Sequence, residues 1–243
     1  MNEPSGEKLA IECAGFVLDS DPSKNTTKQI KSYLNDGLMR GRIPPKEFVD
    51  NMLNIANNNQ TCGSSALQAL AISLGDLRFS SMMTDGNTSE ILSRGKENEF
   101  TQSVANAISP KHIEVLRKLY SQKNRPLYAE EAYFLSLASA PKSADKADME
   151  ILCKDLGGEP PGLCVSTKSG ISTYYPKKIL EVMITIQEVI KKRPELVDAA
   201  AMKAVNELPG KINTGSYVTR PSYDRNVDMD KLKERAEELR ELL

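Results

Sequence analysis

The run from Pro176 to Lys192 constrains the fold more than any other part of the sequence. It carries Ile179, Leu180, Val182, Met183, Ile184, Ile186, Val189 and Ile190, with no Gly or Pro after its first residue. β-Branched residues at this density would also suit strands, but sixteen unbroken residues from Lys177 to Lys192 far exceed a strand of about five or six. Proline at the first position starts a helix, and Lys191-Lys192-Arg193 before Pro194 complements the negative end of its dipole. A helix apolar nearly all round has to be covered on most sides, so this segment is expected to be the central buried helix of an all-α fold.

Other segments supply the cover. Phe48, Met52, Leu53 and Ile55 recur at helical spacing after Pro44-Pro45, and Asn57-Asn58-Asn59 ends that helix. Ser64-Ser65 caps Ala66 to Ile72, closed by Gly75. Further helices are predicted over 97–108, over 111–122 behind a Ser109-Pro110 cap, over 129–138, behind Ser143, and over 194–208. Earlier in the chain, 6–18 and 25–38 also read as helical, and 79–95 reads as a surface loop rich in Ser, Thr, Met and Gly. The stretch 163–175 reads as an irregular connection with a β-like pairing around Val165 and Ile171. From Pro209 the helical period disappears until a final amphipathic helix at 228–243, whose stripe of Met229, Leu232, Ala236, Leu239 and Leu243 is that of a helix docking on a partner or on the body of the protein. An extended tether of about eighteen residues reaches roughly 60 Å at about 3.3 Å per residue, far enough for that stripe to dock on a second copy.

The expected architecture is therefore all-α, a two-lobed helical bundle with an N-terminal arm and a tethered C-terminal helix. The arm is residues 1–22, the lobes 23–95 and 96–208, and the linker with its helix 209–243. The absence of Trp, with only 5 Phe and 8 Tyr, agrees with helices packed through aliphatic side chains and Met. Cys13, Cys62, Cys153 and Cys164 form no close pair, as expected of reduced thiols in the cytoplasm. The acidic N-terminus lacks a signal-peptide core and no run is long enough to span a bilayer, so no membrane insertion is expected. Without export, Asn25, Asn59 and Asn87 in their Asn-x-Ser/Thr triplets read as turn and cap residues.

Chemistry is sparse. His112 is the sole histidine, which removes any scheme needing two imidazoles. No phosphate-binding loop, dinucleotide fingerprint, nucleophile elbow or zinc-protease motif occurs, so neither a catalytic residue, a metal nor a cofactor is expected. Two segments instead combine cations with tyrosines, the residue types that hold phosphates and unstacked bases of single-stranded RNA. One contains Lys111, Arg117, Lys118, Lys123 and Arg125 against one acidic residue, Glu114, with Tyr120 and Tyr128 interleaved. The other contains Tyr174, Tyr175, Lys177, Lys178, Lys191, Lys192 and Arg193. With 32 basic and 33 acidic residues the net charge is -1, so any such site is a local patch. The expectation is a self-assembling, nucleocapsid-like viral structural protein that binds single-stranded RNA in a groove between its lobes. The rival is a helical adaptor gripping protein partners with its last helix; an enzyme built on a Lys or Cys nucleophile ranks third.

Overall fold

A computed structural model describes residues 43–58, 63–75, 99–156, 164–166, 172–174, 176–214 and 229–243. The fold is all-α. The chain divides into two compact units, Met1–Ser143 and Ala144–Leu243. This division differs from the boundary expected at 95/96, because helices from both sides of that point pack together within the first unit.

In the first unit, α1 (Pro45–Asn58) packs on α2 (Gly63–Ser73), α3 (Glu99–Ala107) and α4 (Pro110–Tyr120), while α5 (Ala129–Ser139) packs on α2, α3 and α4. Phe48, Val49, Met52 and Leu53 of α1 are buried, as the predicted stripe requires, whereas Ile55 stays half-exposed. Gly63 lets α2 approach closely, since a Cβ there would stand 3.1 Å from the Ala56 carbonyl oxygen. Gly75 adopts φ 82° just beyond α2, the left-handed turn that closes a helix at little steric cost for glycine. The most enclosed helix of this unit is α5, in which all residues from Ala129 to Ala138 except Glu131 are buried. His112 ties α4 to its own cap and to α1. Its Nδ1 accepts from the Ser109 N–H at 3.1 Å, and its Nε2 lies 2.7 Å from Asp50 Oδ1. A hydrogen bond from Lys46, then the neighbouring His112, hold the Asp50 carboxyl below its usual range.

In the second unit, α6 (Lys146–Leu156) packs on α7 (Pro176–Lys192) and α8 (Ala199–Thr214), and α9 (Met229–Glu241) packs on α7 and α8. A short antiparallel pair, β1 (Cys164–Ser166) and β2 (Ser172–Tyr174), precedes α7 where a β-like pairing was expected, with Val165 opposite Thr173; Ile171 lies outside the described residues. The bounds of α7 are those expected, but its burial is not complete, since Leu180, Glu181, Gln187 and Glu188 form a half-exposed stripe. Asp145, rather than Ser143, caps α6. The Asp148 N–H donates to Asp145 Oδ1 at 3.1 Å and the Asp145 N–H donates to Asp148 Oδ2 at 2.8 Å, a reciprocal box that a carboxylate pair three residues apart forms well. The Ser143 hydroxyl donates instead to the Ile108 carbonyl at 3.2 Å. Likewise α8 starts later than Pro194. A 3-10 turn at Pro194–Leu196 comes first, and Asp198 Oδ1 then accepts from the Ala200 and Ala201 N–H groups.

One expectation about the last 35 residues is corrected. Pro209 does not end helix but lies inside α8, which runs on to Thr214. A proline there forfeits one backbone bond at a cost of about 3 kcal/mol, and burial of Leu208, Pro209 and Ile212 offsets it. Of the two expected docking places for the stripe of α9, a partner or the body of the protein, the chain uses the second. Leu232, Ala236 and Leu239 are buried within this unit, and Arg235 Nη1 donates to Gln187 Oε1 of α7 at 3.1 Å. Leu243 is half-exposed, and the side chain of Met229 lies outside the described residues. Predicted helices at 6–18 and 25–38, and the loop at 79–95, also lie outside them. No helix among the described residues is long and apolar enough to cross a membrane.

Candidate nucleic-acid interface

Burial of Ile113, Leu116, Leu119 and Tyr120 fixes the orientation of α4. Residues three, four and seven positions apart share a helix face, so the opposite side presents Lys111, Glu114 and Lys118 to solvent. Lys118 Nζ reaches Glu114 Oε1 at 2.8 Å, an exposed pair worth only about 0.3–0.5 kcal/mol and readily given up to another anion. Arg117 is half-buried beside this stripe. Beyond the helix, Ser121, Gln122, Lys123 and Asn124 are all exposed. Among the described residues no carboxylate pairs with Lys111 or Lys123.

Arg125 differs from these lysines. Its guanidinium lies 4.9 Å from the Tyr120 ring centroid and its Nη2 is 2.9 Å from Oε2 of the buried Glu130. A planar, bidentate-capable cation suits this double role, stacking on an aromatic while neutralising a buried carboxylate. The turn it anchors is held elsewhere too. The Leu127 N–H donates to Ser64 Oγ at 3.1 Å and Gln68 Nε2 donates to the Tyr128 hydroxyl at 3.0 Å, both from α2. Tyr128 takes φ 64°, a left-handed conformation costing a non-glycine residue about 1–3 kcal/mol. The turn sends Leu127 outward, 71% exposed. Sequence reading passed over Leu127; the available signal was an apolar residue between Pro126 and a helix start, inside an otherwise polar connection.

In the second unit, Lys191 and Lys192 are exposed at the C-terminal end of α7, with Lys191 Nζ 3.3 Å from Glu188 Oε1. Arg193 is again structural. Its Nη1 donates to the Ala144 carbonyl at 2.7 Å and its Nε donates to Glu195. That bond from Arg193 holds the exposed Glu195 carboxyl below its usual range. Lys177 and Lys178 occupy the first turn of α7, which has no acidic residue. Tyr174 stands on β2, its side chain and those of Lys177 and Lys178 lying outside the described residues, as does Tyr175 altogether. The twelve predicted cations and tyrosines thus fall into exposed lysines, half-buried arginines, and positions whose side chains are not described.

Among the described residues no group of three or more His, Cys, Asp or Glu side chains converges as metal ligands would. Cys153 is buried, and burial followed by the charge of Asp198 pushes its thiol up to about 12. It stays protonated, and so a poor nucleophile, at neutral pH. No protein-family model, curated protein or solved structure matches the chain.

Proposed function

We propose that this chain is a non-enzymatic, self-assembling helical protein with a coat-like role, holding single-stranded RNA on the lysine stripe of α4 and the turn that follows. The observation that carries the reading is the division of labour among the cations. Arg125 and Arg193 are committed to stacking, carboxylates and a backbone carbonyl, while Lys111, Lys118 and Lys123 face solvent on one continuous segment. Lysine on a flexible stem is a point charge able to follow an irregular phosphate backbone, which suits sequence-independent binding. Lys177 and Lys178 add support from the second unit. They sit at the positive end of the α7 dipole, an unfavourable placement of about 0.3–1 kcal/mol each that a bound polyanion would offset.

Two further observations favour a binding role over catalysis. Both ring nitrogens of His112 are engaged in contacts that hold α4, and Cys153 is a buried, protonated thiol. Leu232, Ala236 and Leu239 of α9 are covered within their own unit, which counts against an adaptor that grips partners with this stripe. Copies would then meet through other surfaces.

The test is size-exclusion chromatography with light scattering and a 260/280 nm absorbance ratio, on protein purified without nuclease and again after a high-salt wash. The expected result is large particles with a high ratio that falls in salt. A monodisperse monomer free of nucleic acid before the wash overturns the reading.

A further inference from the structure

We propose that Leu127 is an apolar seat for an unstacked base of single-stranded RNA, an inference that rests on the RNA reading above and specifies how that surface grips its ligand. Leu127 is the most exposed large hydrophobic residue among those described, at 71%. It is not left to wander: its own N–H is bound to Ser64 Oγ, and the next residue is fixed in a left-handed conformation with its hydroxyl bound to Gln68. Half-exposed Pro126 and Tyr128 flank it and extend the apolar surface. A rigid knob loses little conformational entropy when it is covered, which is what a contact residue needs.

Charge selects the occupant. Lys123 is exposed on the same turn, and Lys118 and Lys111 continue along α4 with Glu114 between them in an exposed, weak pair with Lys118, whereas the nearby Glu130 carboxylate is buried and neutralised by Arg125. A ligand covering Leu127 from this side must bring negative charge and an apolar face together. Single-stranded RNA does so at every nucleotide, with phosphates for the lysines and base faces for the leucine, and apolar side chains, leucine among them, insert against partly unstacked base steps of duplex DNA. A protein partner would have to combine an apolar pocket with an acidic rim.

The experiment compares fluorescence anisotropy of a labelled twelve-nucleotide oligouridine with that of an abasic oligomer of equal length and charge, using the full chain and its Leu127→Ala variant. Leu127→Ala is expected to weaken oligouridine binding by about fivefold with an unchanged salt slope, while binding of the abasic oligomer stays the same. Equal affinity of variant and parent for oligouridine overturns the base seat, as does an equal loss on both probes. Failure of the parent chain to bind either oligomer overturns the RNA reading itself, and is thereby distinguished from failure of the seat.

Discussion

Leu239 and Leu127 are the same residue with opposite surroundings, and the comparison separates two regions of the molecule. Leu239 belongs to a helix whose stripe, seen from sequence, suits docking on a neighbour or on the body of the protein, and it is fully buried against its own unit. Leu127 belongs to a turn with no periodicity, yet it projects into solvent from a turn held by one backbone and two side-chain contacts. An amphipathic pattern reports that a helix has an apolar side; it does not report whose surface that side meets. Outward display of an apolar residue depends instead on tertiary hydrogen bonds from α2 that no local pattern encodes.

The sharpest way to break this comparison is a pair of truncations followed by urea unfolding. Leu239→Ala is expected to destabilise the second unit by about 2–5 kcal/mol, whereas Leu127→Ala should stay within about 0.5 kcal/mol of the parent. Equal effects would contradict the assignment. A loss at Leu239 that varies with protein concentration would show α9 exchanged between copies rather than docked at home.

A smaller effect sharpens the contrast between the arginines and the lysines. Arg125→Met keeps most of the stem but removes the charge that faces the buried Glu130 carboxylate, at an expected cost of about 1–3 kcal/mol in the same assay. Lys123→Met, at an exposed position with no ion pair among the described residues, should cost close to nothing. If the two variants unfold alike, Arg125 is not the structural cation that its contacts describe.

Much of the helical framework was legible because its punctuation is local. Pro176 and Lys191-Lys192-Arg193-Pro194 delimit α7, Ser109-Pro110 opens α4, and Gly75 follows α2, each acting through its own backbone preference. Pro209 misled because the rule that proline breaks helices yields to burial of Leu208 and Ile212 around it. Ser143 misled because two competent caps stand two residues apart, and the reciprocal Asp145–Asp148 bonds favour the second. The expected interface was legible only as composition. Five cations between Lys111 and Arg125 look alike in sequence, and the Glu130 and Tyr120 contacts that set Arg125 apart arise when the turn folds back between α4 and α5.

The central claim is that the lysine stripe, and not the arginines beside it, meets the RNA backbone. Its most direct test is the salt dependence of oligouridine binding by the parent chain and by a variant with Lys111, Lys118 and Lys123 all changed to Ala. Loss of three phosphate contacts predicts a logarithmic slope shallower by about two, with the fold intact. An unchanged slope in a folded variant would contradict the claim and remove α4 from the binding surface.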